Sequence, residues 1–143
     1  MTKTMWTGAA IAGAFVAGLL VRDVVPVAQA QAGPKVFELR TYTAPPGKLA
    51  DLHARFRNHT MRIFQRHGMN NVMYFAPTEA PLQDNTLIYV ISHASREAAK
   101  KSWDEFRADP EWVTVAADSQ VNGRIVERTE SVFMTATDYS PVK

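Results

Sequence analysis

Apolar residues between positions 36 and 135 recur with a period that alternates between that of a strand and that of a helix, in the order strand, helix, strand, strand, helix, strand. Few architectures accept that order. Val36–Thr43 sets Phe37, Leu39 and Thr41 on one side and Glu38, Arg40 and Tyr42 on the other, as a half-buried strand does. Pro45, Pro46 and Gly47 break it and open a helix with Leu49, Leu52, Phe56, Thr60, Ile63 and His67 on one face and Gly68 as its left-handed stop. Residues 71–76 and 86–93, rich in Val, Ile, Tyr and Phe around a loop, predict an antiparallel hairpin. Ser95 caps a second helix that buries Ala99, Trp103 and Phe106, and Asp109-Pro110 restarts a short one over 110–118. Residues 124–135 alternate as a last strand. The pattern βαββαβ predicts an α+β, ferredoxin-like domain, an antiparallel sheet with helices on one face. The other face needs a cover. Glu38, Arg40 and Tyr42 are expected there, and a second copy is expected to close two sheets into a dimeric α+β barrel.

The chain ahead of this domain, which spans 35–143, has another character. Lys3 precedes an apolar run from Met5 to Val21, followed by Ala28-Gln29-Ala30, whose small residues fit a signal-peptidase site. Residues 1–30 are read as a signal peptide. An uncleaved inner-membrane anchor is the alternative, because the 17 residues from Met5 touch the lower limit of a spanning helix and Arg22 and Asp23 are unusual near a cleavage site. The expected location is the periplasm or the exterior, or a domain tethered outside the cytoplasm, with membrane contact only through this segment.

Charge and composition exclude several functions. Two of the 16 basic and one of the 14 acidic residues lie in the first 30, so the domain is nearly neutral and carries no footprint for nucleic acid. With no cysteine there is no disulfide, thiol nucleophile or Cys-ligated metal. No Walker loop, Rossmann fingerprint or Gly-x-Ser-x-Gly elbow occurs, and no cofactor is expected.

The remaining candidates are polar residues on the elements. Glu38, Arg40 and Tyr42 could line a barrel cavity, with Arg holding a carboxylate or polarising a carbonyl, but a self-satisfied ion pair, cross-strand or between subunits, is the preferred reading. His53, His59 and His67 are six, eight and fourteen residues apart, not the helical spacing of a metal site. His59 borders the apolar face as a potential acid or base, His67 ends the helix, and His93 closes a strand and reads as a turn residue. Arg55, His59, Arg62 and Arg66 recur at helical spacing as a basic stripe, an anion-binding candidate or an ordinary solvated face. Trp103, Phe106 and Trp112 read as core.

Phe37-Glu38-Leu39-Arg40-Thr41-Tyr42-Thr43, Pro46-Gly47-Lys48-Leu49, His67-Gly68, Ser95-Arg96-Glu97, the run Trp103 to Trp112 and Glu130-Ser131-Val132-Phe133-Met134 together resemble the NIPSNAP family over roughly residues 36–141. The resemblance implies a dimeric α+β barrel but no settled reaction. One domain behind an export leader departs from the intracellular members of that family, so their roles are not carried over.

Two functions compete. The first is a binding module, a homodimer holding a small apolar or anionic ligand or a protein partner. The second is a small-substrate enzyme of monooxygenase, isomerase or haem-acting type, by analogy with other dimeric α+β barrels. It would use Arg40 as oxyanion holder, Tyr42 or Tyr74 as proton donor and His59 as base or haem ligand.

Overall fold

The computed structural model describes residues 35–143, so the expected leader at 1–30 lies outside the described residues. The elements are β1 Val36–Thr43, α1 Leu49–Arg55, a π-helical turn Phe56–Thr60, α2 Met61–Arg66, β2 Asn70–Phe75, β3 Thr86–His93, α3 Arg96–Ala108, α4 Pro110–Asp118 and β4 Arg128–Met134. The strands pair antiparallel in the order β2-β3-β1-β4, the ferredoxin-like arrangement. The last strand is shorter than its alternation predicts. Residues 124–127 reach the sheet only through Glu127 N–H donating to the Thr43 carbonyl at 2.7 Å, while Ile125 is buried in the core.

Local chemistry sets the helix ends. Gly68 takes φ +74°, which a side chain resists, and stops α2. Ser95 Oγ accepts from Ala98 N–H at 3.1 Å, and Asp109 Oδ1 accepts from Glu111 N–H at 2.8 Å at the start of α4. The other oxygen of Asp109 binds Arg66 at 2.5 Å and His67 at 2.6 Å, tying α2 to α4. Asp109→Ala should therefore lower Tm by about 5 °C, the size of a lost helix cap in a domain of ~100 residues, when followed by thermal circular dichroism. Asp109→Asn, which still caps but no longer carries the charge that Arg66 binds, should lose less.

Register decides which face is buried. Tyr42 lies opposite Leu87, Arg40 opposite Tyr89 and Glu38 opposite Ile91, and these share the helix side of the sheet. They meet Leu52, Phe56, Ile63, Phe64 and Phe106, with Ile125, in one core. Phe56 touches Tyr89 at 5.1 Å and Tyr42 at 5.8 Å between ring centroids, and Phe64 touches Phe106 at 4.9 Å. Burying each such ring stabilises by about 1.5–3 kcal/mol.

One expectation is corrected here. Glu38, Arg40 and Tyr42 do not lie on the open face; they point at the helices, because Trp103 and Phe56 supply a partner for each kind of side chain. The open face instead carries Leu39, Ile88, Val90, Val132, Met134, Met73 and Phe75, the last two 47% exposed. The helix face holds at Leu52, Phe56, Thr60 and Ile63 but widens, with Arg55 and Phe64 buried beside them. In the π turn Met61 N–H donates to the Phe56 carbonyl five residues back.

Candidate functional site

On the helix side of β1, a single carboxylate gathers four donors. Glu38 is 1% exposed. Its Oε1 accepts from Arg40 Nη1 at 2.7 Å and Ser131 Oγ at 2.6 Å, and its Oε2 from Trp103 Nε1 at 2.7 Å. His93 Nε2 lies 3.1 Å from the same Oε2, and since a carboxylate only accepts, that nitrogen carries its proton. Burial alone would raise the Glu38 pKa, but the hydrogen bonds from His93, Ser131, Trp103 and Arg40 outweigh it and hold it at about 2.

Arg40 is fixed by this arrangement. Its guanidinium stacks 4.3 Å from the Trp103 ring centroid and reaches Tyr42 Oη at 3.5 Å. Burial opposes its charge, yet Tyr42, Tyr89 and Glu38 outweigh that and raise its pKa. Arg40 Nε and Tyr89 Oη are buried without partners in this interior. Outside it opens a cleft of about 310 Å³ floored by Glu38, Arg40 and Ser131, walled by Trp103 and Phe133, and rimmed by Arg96, Lys100 and Arg107. The guanidinium carbon of Arg96 lies over the Phe133 ring, 3.3 Å from its centroid. Lys100 and Arg107 share Asp104, which leaves the rim net positive.

The other expected residues fall elsewhere. Tyr74 stacks on Tyr89 at 5.4 Å, but its hydroxyl donates to Asn71 Oδ1 at 2.5 Å, and burial pushes its pKa above the usual phenol range. It lines an apolar cleft of about 270 Å³ with His53 and Met61. His59 lines a third cavity, between the π turn and the end of α4, together with Arg55. Arg40, Tyr42, Tyr74 and His59 therefore form no single constellation; only the first two meet. Nor do the four residues of the basic stripe stand together. Arg62 and Arg66 both bind Glu111, and Arg66 also Asp109, while Arg55 is buried.

Residues read as structural turn out to build the polar cluster. His93 closes β3 as expected, but it is buried at 1% exposure against Glu38 rather than set in a turn, and Trp103 is donor and stacking surface as well as core. Among the described residues no group of three or more His, Asp or Glu side chains stands ready to hold a metal ion, and no helix is long and apolar enough to cross a membrane.

Solved structures share the fold. A NIPSNAP family protein of unknown function from Agrobacterium tumefaciens is 20% identical, with a TM-score of 0.67 over 77% of this chain and 95% of its own. An uncharacterised NIPSNAP-like domain protein from Burkholderia xenovorans is 18% identical, with a TM-score of 0.65 over 75% and 89%. SnoaB, a cofactor-independent oxygenase from Streptomyces nogalater, is 18% identical, with a TM-score of 0.52 over 76% and 98%. No curated protein matches the sequence. The NIPSNAP family matches residues 37–141, nearly all of the folded domain, and the chain belongs to that family.

Proposed function

We propose that this chain is a homodimeric binding module for a small organic anion with a flat apolar body, held in the cleft over Trp103. The observation that carries this reading is Arg40, kept charged at the floor and stacked on Trp103 at 4.3 Å, beneath a rim of Arg96, Lys100 and Arg107. Trp103 and Phe133 offer faces for a flat ligand, and the guanidinium groups offer forked donors for a carboxylate. The dimer forms through the apolar open face of the sheet, and the leader delivers the domain to the periplasm or beyond. In the full-length protein carrying Trp6→Phe and Trp112→Phe, which leaves Trp103 as its one tryptophan, benzoate should quench Trp103 fluorescence saturably and benzamide at least about tenfold more weakly, since 1.4 kcal/mol of charge recognition is a factor of ten. Arg96→Ala should remove most of that difference. Absence of saturable quenching, or equal response to the two probes, would overturn the reading.

A small-substrate enzyme remains the second reading, favoured by the unpartnered Arg40 Nε and Tyr89 Oη facing one interior and by the fold shared with an oxygenase. In it Arg40 holds an oxyanion and Tyr42 donates the proton, while His59 and Tyr74 line other cavities. Product formed on incubating captured ligand with fresh protein, detected by mass spectrometry, separates this reading from simple binding.

A further inference from the structure

The π turn leaves one buried cation without a counter-ion. Arg55 is 7% exposed, and none of the ion pairs among the described residues includes it. Its Nη1 donates to Ser119 Oγ at 3.4 Å, its Nε has no partner, and the Trp112 ring lies 5.2 Å away. Burial lowers its pKa in spite of Tyr42 and Tyr89. The C-terminal end of α4 contributes roughly half a negative charge, less than a full counter-ion. A buried charge in this condition destabilises the fold unless something else completes it.

Arg55 and Ser119 line a cavity of about 380 Å³, at the small end of the size range of ligand pockets. Asn58 and His59 come from the π turn, and such turns are frequent at functional sites. The cavity also carries two exposed carboxylates, Asp51 and Asp118. Asp51 is paired with Lys48 at 3.3 Å, whereas no ion pair among the described residues includes Asp118. A plain anion would suit Arg55 but meet those carboxylates. A plain cation would meet Arg55.

We propose that this cavity, separate from the cleft over Trp103, binds a small zwitterion of the α-amino-acid pattern. The carboxylate of the ligand takes the Arg55 fork and the Ser119 hydroxyl, which turns to it from the Ala116 carbonyl it donates to at 3.2 Å, and its ammonium group takes Asp118 at the mouth, beside the C-terminal end of α4. Asn58 and His59 offer further polar contacts on the opposite wall. The buried arginine is then an incomplete ion pair that the ligand completes, which explains why a destabilising group is kept there.

Calorimetric titration and thermal melting of the full-length protein test this, with alanine, propionate and ethylamine as probes of matched size. Alanine should bind at least about tenfold more tightly than propionate, the factor that 1.4 kcal/mol of added ion pairing gives, and ethylamine should not bind. Arg55→Met should abolish alanine binding and raise the Tm of the empty protein, an outcome that a structural arginine would reverse. Asp118→Asn, on the exposed rim and independent of folding, should erase the preference for alanine over propionate. Equal binding of alanine and propionate, no binding of alanine, or an Arg55→Met protein that melts lower and still binds alanine would overturn the proposal.

Discussion

Glu38→Gln should be among the most destabilising single changes in the domain, costing about 3–5 kcal/mol, much of what a domain of this size has in total. The reason is the number of donors that converge on it. Arg40, Ser131, Trp103 and His93 all aim at its two oxygens, and an amide turns a donor of its own towards at least two of them. Arg40 would then stay buried beside Trp103 without its carboxylate. Urea unfolding at pH 7 measures the loss. Arg40→Met in the Glu38→Gln background should recover part of it, because the two residues act as one unit.

The same carboxylate sets a pH dependence. Its folded pKa is depressed to about 2 from 4.5, so the folded state favours the charged form. That stability is fully present above pH 4.5 and is lost as pH falls through 2. Wild type should weaken steeply in this window, and Glu38→Gln should show a shallower slope there. Equal slopes in the two proteins would mean that other carboxylates carry the acid limb.

How far the sequence led depended on whether the cause was local. The first three strands, the Ser95 and Asp109 caps and the Gly68 stop are written in a few adjacent residues, and the structure has them where local chemistry puts them. The facing of β1 is not. Phe37, Leu39 and Thr41 on one side and Glu38, Arg40 and Tyr42 on the other each make a plausible buried set, and β3 is apolar on both sides, so only the partners decide. Those partners are remote: Trp103 is 65 residues from Glu38 and Ser131 is 93. A charged pair beside tyrosine read as surface, whereas Ser131, Trp103 and His93 satisfy it inside. Nor does any residue type announce the π turn, because its cause is one added residue in the hydrogen-bond ladder. Counting on at 3.6 residues per turn therefore joined Arg55 to Arg62 and Arg66, which the turn separates.

Val90→Asp should convert a dimer into a monomer, while Arg40→Ala should leave the dimer intact. Val90 sits at the middle of the open face, opposite Leu39 on β1 and Met73 on β2. An antiparallel sheet with helices on one side usually turns a polar face to water on the other, and this one presents Leu39, Ile88, Val90, Val132, Met73 and Phe75. Four strands of about seven residues span roughly 23 by 19 Å, so two such faces together present a flat footprint of about 900 Å², close to the smallest area of a specific interface before side-chain relief is counted. A carboxylate at the centre would be buried without a partner and should weaken association at least about 1,000-fold, or 4 kcal/mol. Sedimentation equilibrium should give wild type at twice the chain mass and Val90→Asp at the chain mass. An apolar interface should also hold in 1 M salt, where an ion-paired one would loosen. Arg40 discriminates between the two faces, since it lies on the helix side. Its loss should disturb the cleft over Trp103 and not the association. A wild-type monomer at micromolar concentration would remove the barrel from this account and leave the apolar face to another partner.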